Sequence, residues 1–306
     1  MSQPKILITG CAGFIASHIA ERYLSLGYEI CIVDDLSSGK RDNLSSEIRF
    51  YEESILSPKI PLILKEERPD FINHHAAQID VRKSVEDPIE DARVNILGTL
   101  NLLESSRQVG VKKFIFASSG GAIYGEQEYF PATEEHPTEP RSPYGIGKLT
   151  VEKYLQFYQG TYGIPFVALR YANVYGPRQN AHGEAGVVAI FTERLLRDEV
   201  LMINGDGQQT RDYVYVDDVV HCNVEALRSD IYGIFNVGTG IETDVNTIAR
   251  ELVRLTNKKA RLQYVPAKLG EQPRSCIRPG FLQKNPTPLS DGLKKTVEWF
   301  QRKNQN

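Results

Sequence analysis

What the chain lacks narrows it first. No stretch approaches the apolar length needed to span a bilayer. There is no basic excess: 36 Lys and Arg stand against 39 Asp and Glu, a net charge of -3. That balance predicts neither a nucleic-acid footprint nor a polybasic membrane surface. Cysteine is scarce, at Cys11, Cys31, Cys222 and Cys276, with no C-x-x-C spacing. Neither a zinc site nor a dithiol redox motif is indicated, so no metal is expected, and reduced thiols in a cytosolic protein are. Internal repeats and low-complexity tracts are missing. The first residues, Met1 to Lys5, run straight into a strand-like segment, which speaks against a cleaved signal peptide.

What is there reads as an α/β protein. The 306 residues are enough for one large domain plus a smaller one. Four near-continuous apolar runs fit parallel strands covered on both faces: Lys5 to Thr9, Glu29 to Val33, Phe71 to His74 and Lys113 to Ala117. Helical patterns lie between them at Phe14 to Leu26, Ser57 to Lys65 and about Asp91 to Gln108. A helix from about Tyr144 to Tyr162 and a strand Phe166 to Leu169 follow. This alternation predicts a Rossmann-type doubly wound parallel sheet. Past Gly176-Pro177 the pattern loosens into a polar loop over 178–186. Helices are expected at Val187 to Arg197, Val216 to Leu227, Thr247 to Thr256 and Leu289 to Lys303. Short strands are expected at Leu201 to Ile203, Asp212 to Tyr215 and Ile234 to Val237. The expected division is a dinucleotide-binding domain over 1–176 and a smaller C-terminal α/β substrate-binding lobe over 177–306, some of whose segments return to the main sheet.

Gly10-Cys11-Ala12-Gly13-Phe14-Ile15-Ala16 follows the first strand and opens a helix. Small residues let the backbone approach a pyrophosphate, and a helix N-terminus offers unpaired N–H groups and a positive dipole end. Ala16 replaces the usual third glycine and still permits close helix–strand packing. The second strand ends in Val33-Asp34-Asp35. A carboxylate there can accept from both adenosine ribose hydroxyls and repel a 2′-phosphate, which favours NAD over NADP.

Tyr144 and Lys148 stand four apart at the start of a helix, about one turn from each other on one face. An ammonium beside a phenol lowers its pKa from about 10. Such a pair can take a hydroxyl proton while hydride leaves the same carbon. By itself the spacing means only an amphipathic helix. Here it follows a Rossmann half and a strand ending in Ala117-Ser118-Ser119. His74-His75 is not expected to hold a metal, because adjacent strand residues point to opposite faces.

Further motifs join these: Asp34 to Gly39, His75-Ala76-Ala77-Gln78, Asn95 with Gly98-Thr99, Ser118 to Gly125, Ser142-Pro143-Tyr144 with Lys148, Arg170 to Pro177 and Arg211 to Asp218. With them the chain resembles the extended short-chain dehydrogenase/reductases, and within these the UDP-glucose 4-epimerase branch, from Ile6 to about Cys276 and again over Leu293 to Phe300. The resemblance implies an NAD cofactor, a UDP-sugar substrate and a homodimer. It places Gly10, Gly13, Phe14 and Ile15 at the pyrophosphate and Asp34 at the adenosine ribose. Ala76, Ala77 and Asn95 fall on the nicotinamide side, and Ser38, Ile55, Gln78 and Tyr171 also line the cofactor. Lys148 would hold the nicotinamide ribose and tune Tyr144, the expected base. Asn173 and Arg211 would contact the substrate diphosphate, Val187 the uridine, and Lys268 and Glu271 the diphosphate and uridine ribose. Counting five residues on from Gly270 leads to Ser275, beside the sugar's C2 substituent.

The chain departs from the family pattern at three places. The third catalytic member is a Ser or Thr four residues before the Tyr of the family's Tyr-Gly pair. Counting back from Tyr124 gives Gly120, which leaves Ser118 or Ser119 to reach the substrate. Ser54 stands where an Asp usually contacts adenine. Ile277 to Phe281 replaces a usual helix start. The family's dehydratases and decarboxylases carry an acidic residue where this chain has Gly120-Gly121-Ala122. The best expectation is therefore interconversion of UDP-hexose C4 epimers, with UDP-N-acetylhexosamines accepted because serine at 275 leaves room. Another nucleotide-sugar reaction, or NAD(H) sensing without catalysis, stays open.

Overall fold

The computed structural model describes residues 3–181, 186–267 and 272–303. The first half alternates as expected: β1 (Lys5–Thr9), α1 (Phe14–Ser25), β2 (Glu29–Asp34), β3 (Arg49–Glu52), α2 (Ile60–Glu67), β4 (Phe71–His74), α3 (Val81–Glu86) and α4 (Pro88–Ala92). A π-helical stretch, Arg93–Gly98, runs on into α5 (Thr99–Val109). Then come β5 (Lys113–Ser119), the single turn α6 (Gly120–Ile123), the long α7 (Pro143–Tyr162) and β6 (Phe166–Tyr171). The remainder holds β7 (Asn173–Tyr175), α8 (Val187–Leu196), β8 (Leu201–Asn204), β9 (Thr210–Tyr215), α9 (Val216–Arg228), β10 (Gly233–Val237), β11 (Glu242–Asp244), α10 (Val245–Thr256), β12 (Leu262–Val265), β13 (Arg274–Ser275) and α11 (Leu289–Lys303).

Seven parallel strands form the main sheet in the order β10-β6-β5-β4-β1-β2-β3. The chain reverses direction across the sheet between β1 and β4, and a crevice opens there beyond the carboxyl ends of the strands. Ile6, Leu7 and Ile8 are fully buried because helices cover both faces. One face carries the cluster around Ile8, Ile19 and Val219, the other that around Leu64, Leu102 and Leu155. β10 and α9, both from beyond residue 177, join this body: β10 is its edge strand and α9 packs on α1. A separate core around Tyr175, Phe191, Ile248 and Leu293 holds the small sheets β11-β9-β13, with β7 on β9, and β12-β8.

Local chemistry sets the helix ends. Ser142 Oγ accepts from the Gly145 N–H at 3.1 Å, Pro143 takes the first position of α7, and Gly163 ends it in the left-handed region. The second helix begins at Ile60 rather than Ser57. Pro61 has no N–H to give and is tolerated only in a first turn, while the Ile60 N–H closes a turn onto the Ser57 carbonyl at 3.2 Å. The third expected helix starts earlier than Asp91, because Asp87 caps Glu90 N at 3.0 Å and Pro88 follows it. β3, a half-exposed edge strand with charged ends, carries too little apolar periodicity to be expected from sequence. Among the described residues no helix is long and apolar enough to cross a membrane.

Candidate active site

The glycine turn lies flat on the end of β4. Gly10 has φ +67°, and a Cβ there would fall 2.5 Å from the Ala76 nitrogen. Only glycine allows both the backbone conformation and the approach. Gly13 precedes α1 in extended conformation, and no side chain caps the helix. Its first-turn N–H groups are thus left for an anion. Phe14 and Ile15 form that first turn. Asp34 ends β2 and is buried. Its carboxylate accepts from Ala12 N at 2.8 Å and Leu36 N at 2.9 Å, so it also holds the turn in place. Burial pushes its pKa up, and the two N–H donors partly oppose the shift. Ser38 is exposed just beyond, and Ile55 fills the space that Gly98 leaves empty.

The fit of these residues to a dinucleotide rests on more than the turn. His75 Nε2 meets the Tyr171 hydroxyl at 3.1 Å, while its Nδ1 is buried at the same strand end without a hydrogen-bond partner. A ligand lying across the turn could satisfy it. Burial keeps His75 neutral, with its pKa pulled down to about 3. His74 turns the other way, between Thr9 Oγ1 at 2.6 Å and Thr99 Oγ1 at 2.9 Å. The two imidazoles therefore have separate partners. Tyr171, placed on the cofactor by resemblance, has its hydroxyl tied to His75 and to Asn223 Nδ2, the latter at 2.8 Å.

At the end of β5 the two serines part. Ser118 donates to Glu152 Oε1 at 2.6 Å. Glu152 in turn takes Arg170 Nε at 3.0 Å and Nη2 at 2.7 Å, a fork held in the core. Ser118 is thereby held in a buried side-chain network. Ser119 instead lies beside the Tyr144 hydroxyl and favours its ionised form. A hydroxyl thus stands near Tyr144 one position before Gly120. A Cβ at Gly120 would lie 2.6 Å from Ile277 Cδ1, so Ile277 would have to shift to admit a side chain there.

Tyr144 and Lys148 share a face of α7 as their spacing implies. Lys148 Nζ donates to the Ala117 carbonyl at 2.8 Å and lies 5.7 Å from the centre of the Tyr144 ring. Their ionisation differs from the expectation of a lowered phenol. Desolvation pushes Tyr144 up to about 12, with the Ser119 side chain opposing and the Asp91 charge reinforcing the rise. Desolvation pulls Lys148 down to about 8, against the carboxylates of Asp91 and Glu152. Burial is the largest influence on both groups.

On the nicotinamide side, Ala76 and Ala77 are half-buried, and Gln78 N donates to Asn95 Oδ1 at 2.9 Å. Gln78 Nε2 and Asn95 Nδ2 both donate to Asp91 Oδ1, at 2.9 and 3.0 Å. Asp91 was not singled out from sequence. The available signal was its place four residues before Asn95, on the same helical face.

Three of the substrate candidates, Asn173, Arg211 and Ser275, lie on one small sheet. Asn173 pairs with Tyr213 on β9, and Ser275 pairs with Arg211. Asn173 Oδ1 comes within 3.8 Å of the point where Gly121 would carry a Cβ, so β7 reaches the turn that follows β5. Arg211 Nη1 donates to the Thr210 carbonyl at 2.8 Å, and Val187 opens α8. Ser275 is buried, and next to it Cys276 N donates to Gln127 Oε1 at 2.9 Å. Lys268 and Glu271 lie outside the described residues. The segment beginning at Ile277 closes on this region: Ile277 bridges to Ala132 and packs over Gly120 and Gly238.

A nucleotide-binding sheet end, a Tyr-Lys-Ser group and a second lobe facing them define a class. Residues 6–238 match the model of the NAD dependent epimerase/dehydratase family, and the chain belongs to that family. It is 41% identical to the UDP-glucose 4-epimerase of Mycolicibacterium smegmatis, over 98% of this chain and 100% of that one. Its structure is similar to that of a UDP-glucose 4-epimerase with UDP-glucose from Thermotoga maritima, with a TM-score of 0.96, 47% identity, and coverage of 98% of this chain and 99% of that one. It is also similar to a UDP-N-acetylglucosamine 4-epimerase from Methanobrevibacter ruminantium, with a TM-score of 0.93, 31% identity, and coverage of 99% and 100%.

Proposed function

We propose that this chain interconverts the C4 epimers of UDP-hexoses, UDP-glucose and UDP-galactose, through a 4-keto sugar with NAD held at the glycine turn. The observation that carries the reading is the meeting of Tyr144, Ser119 and Lys148 at the end of β5, next to a stretch, Gly120-Gly121-Ala122, that bears no carboxylate. Dehydration needs an added acid and base there. Epimerisation does not. Residues 1–176 bind the dinucleotide and 177–306 supply the sugar-nucleotide side, with α9 and β10 returned to the main sheet.

Gly10, Gly13 and the N–H groups at Phe14 and Ile15 hold the pyrophosphate. Asp34 takes the adenosine ribose and selects NAD. Lys148 holds the nicotinamide ribose. NAD, when bound, supplies a positive charge and a hydride acceptor. Tyr144 removes the 4-hydroxyl proton and later returns it, with Ser119 donating to the oxygen that carries the charge. Asn173 and Arg211 hold the diphosphate, with Lys268 and Glu271 beside them, and Val187 borders the uridine. Ser275 leaves space at C2, so UDP-N-acetylhexosamines are substrates too. The test is to give the purified protein UDP-glucose with no added reductant. UDP-galactose should appear; conversion of neither epimer sinks the reading.

A homodimer is part of the same proposal. Val85, Ile89, Leu97, Ile146 and Phe157 are each at least half exposed, and all lie on α3, α4, the π-helical stretch or α7, which pack together. An apolar set of that kind marks an interface. Light scattering should give twice the 34.4 kDa chain mass. The four cysteines are free and buried thiols, in keeping with a cytoplasmic location.

A further inference from the structure

Lys148 is a buried cation between two buried carboxylates, and only one of them has charge to spare. Glu152 stands one turn further along α7. Its two oxygens are occupied by the Arg170 guanidinium and the Ser118 hydroxyl. That charge is matched inside the core. Asp91, at the end of α4, is 1% exposed, and its hydrogen-bond donors are the neutral amides of Gln78 and Asn95. Its Oδ2 faces α7 and lies 3.6 Å from the point where Gly147 would carry a Cβ. The carboxylate thus packs in van der Waals reach of α7 next to Lys148.

The other groups around Lys148 add no net charge. His74 and His75, on the β4 side, are held neutral by burial, and both feel the lysine's repulsion. On the β5 side Lys148 meets the neutral Ala117 carbonyl and the Phe116 ring, 4.8 Å from its Nζ. Tyr144 is a neutral phenol on its own helix, and Arg170 on β6 is spent on Glu152. A buried charge without a counter-charge is strongly unfavourable. Asp91 and Lys148 are each the other's remaining partner.

We propose that Asp91 is a positioning residue whose carboxylate is the counter-charge that keeps Lys148 protonated beside Tyr144, an inference that rests on Tyr144 and Lys148 forming the acid–base pair. It has a signature. Removing the negative charge makes Lys148 easier to deprotonate. It also makes Tyr144 easier to deprotonate, because an anion near the phenol opposes the phenolate. Both limbs of the pH–rate profile therefore move the same way, toward lower pH. A purely structural role would lower the profile at every pH and leave its limbs in place.

Asp91→Asn is the direct variant, since an amide oxygen can still accept from Gln78 and Asn95. Competitive acetylation of the full-length protein by acetic anhydride across pH, read by peptide mass, reports the ionisation of Lys148 without any turnover. In Asp91→Asn that ionisation should fall by about one pH unit or more, and kcat should shift with it. Asp91→Glu should keep both near wild type, whatever its rate. Unchanged Lys148 ionisation in Asp91→Asn overturns the proposal. If Asp91→Asn does not fold, Asp91→Glu decides: a clear fall in Lys148 ionisation despite the retained charge overturns it, and wild-type ionisation supports it. A wild-type protein that fails to epimerise, while its Lys148 still responds to Asp91→Asn, removes the epimerase reading and supports the charge pairing.

Discussion

The two halves of the molecule handle polar groups differently. Around the main sheet, charge is taken inside and matched: Arg170 forks onto Glu152, and Asp34 caps the glycine turn. In the C-terminal part the comparable pair, Arg274 with Glu242, sits half in solvent at the edge of β13 and β11. Its strands are open as well, with Met202, Leu262 and Tyr264 about half exposed. Asp212 is one exception. It is buried and accepts from Thr239 N at 2.9 Å and Gly240 N at 3.1 Å, pinning the end of β10 to β9. Under the proposed function, the side that places a hydride and a proton is over-determined, while the side that accepts a sugar is lightly built.

The sharpest way to break this comparison is at the chemistry itself. Tyr144→Phe keeps the ring and removes the hydroxyl. Turnover should fall by about 10²–10⁴-fold while the fold persists. Near wild-type turnover would mean that the ordered half does not house the base. Next in size is Glu152→Ala. It leaves Arg170 buried without its carboxylate and Ser118 without its acceptor, and should cost about 3–5 kcal/mol in urea unfolding. Glu242→Ala, the solvent-edge counterpart, should shift the midpoint far less, because exposed pairs are screened. Equal losses would erase the distinction between the halves.

The same contrast explains what could be read from sequence. Buried parallel strands such as Ile6-Leu7-Ile8 announce themselves as apolar runs, and Gly10, Asp34, Tyr144 and Lys148 sit at fixed places relative to them. β11, β12 and β13 are only two to four residues long, and β11 and β12 are exposed or half-exposed, so little periodicity marks them. The serine pair shows a second limit. Which hydroxyl meets Tyr144 depends on how the chain turns into α6, and counting residues back from Tyr124 misses that turn by one. Asp91 shows a third. A carboxylate's partner across two helices is a tertiary fact, invisible in the spacing around Asn95.

In the lightly built half the expected effect is on selectivity. Ser275→Tyr adds a ring beside the proposed C2 pocket, and overpacking costs about 1–3 kcal/mol. kcat/KM for UDP-N-acetylglucosamine should drop about 5- to 150-fold relative to UDP-glucose. Equal loss of both substrates would show that Ser275 is not the gate.

The smallest effect concerns the ordered half again, through acid. His74 and His75 are buried neutral, His75 down to about 3 and His74 also well below its ordinary value. In the unfolded chain both take a proton near pH 6.5. Below that pH the unfolded state binds more protons than the native one, so stability rises with pH up to about 6.5 and falls as pH drops from there toward 3. Each histidine contributes a slope of up to about 1.4 kcal/mol per pH unit. Carboxylates add their own acid dependence at lower pH, so the histidine share is isolated by difference. His75→Gln keeps a polar side chain that can reach Tyr171 and cannot titrate. Between pH 6.5 and 5 its unfolding free energy, from urea melts, should fall less steeply than that of the wild type by about 1 kcal/mol per pH unit. Parallel slopes would mean that His75 takes up its proton in the native state, and that the sheet end beside the glycine turn is wetter than its packing implies.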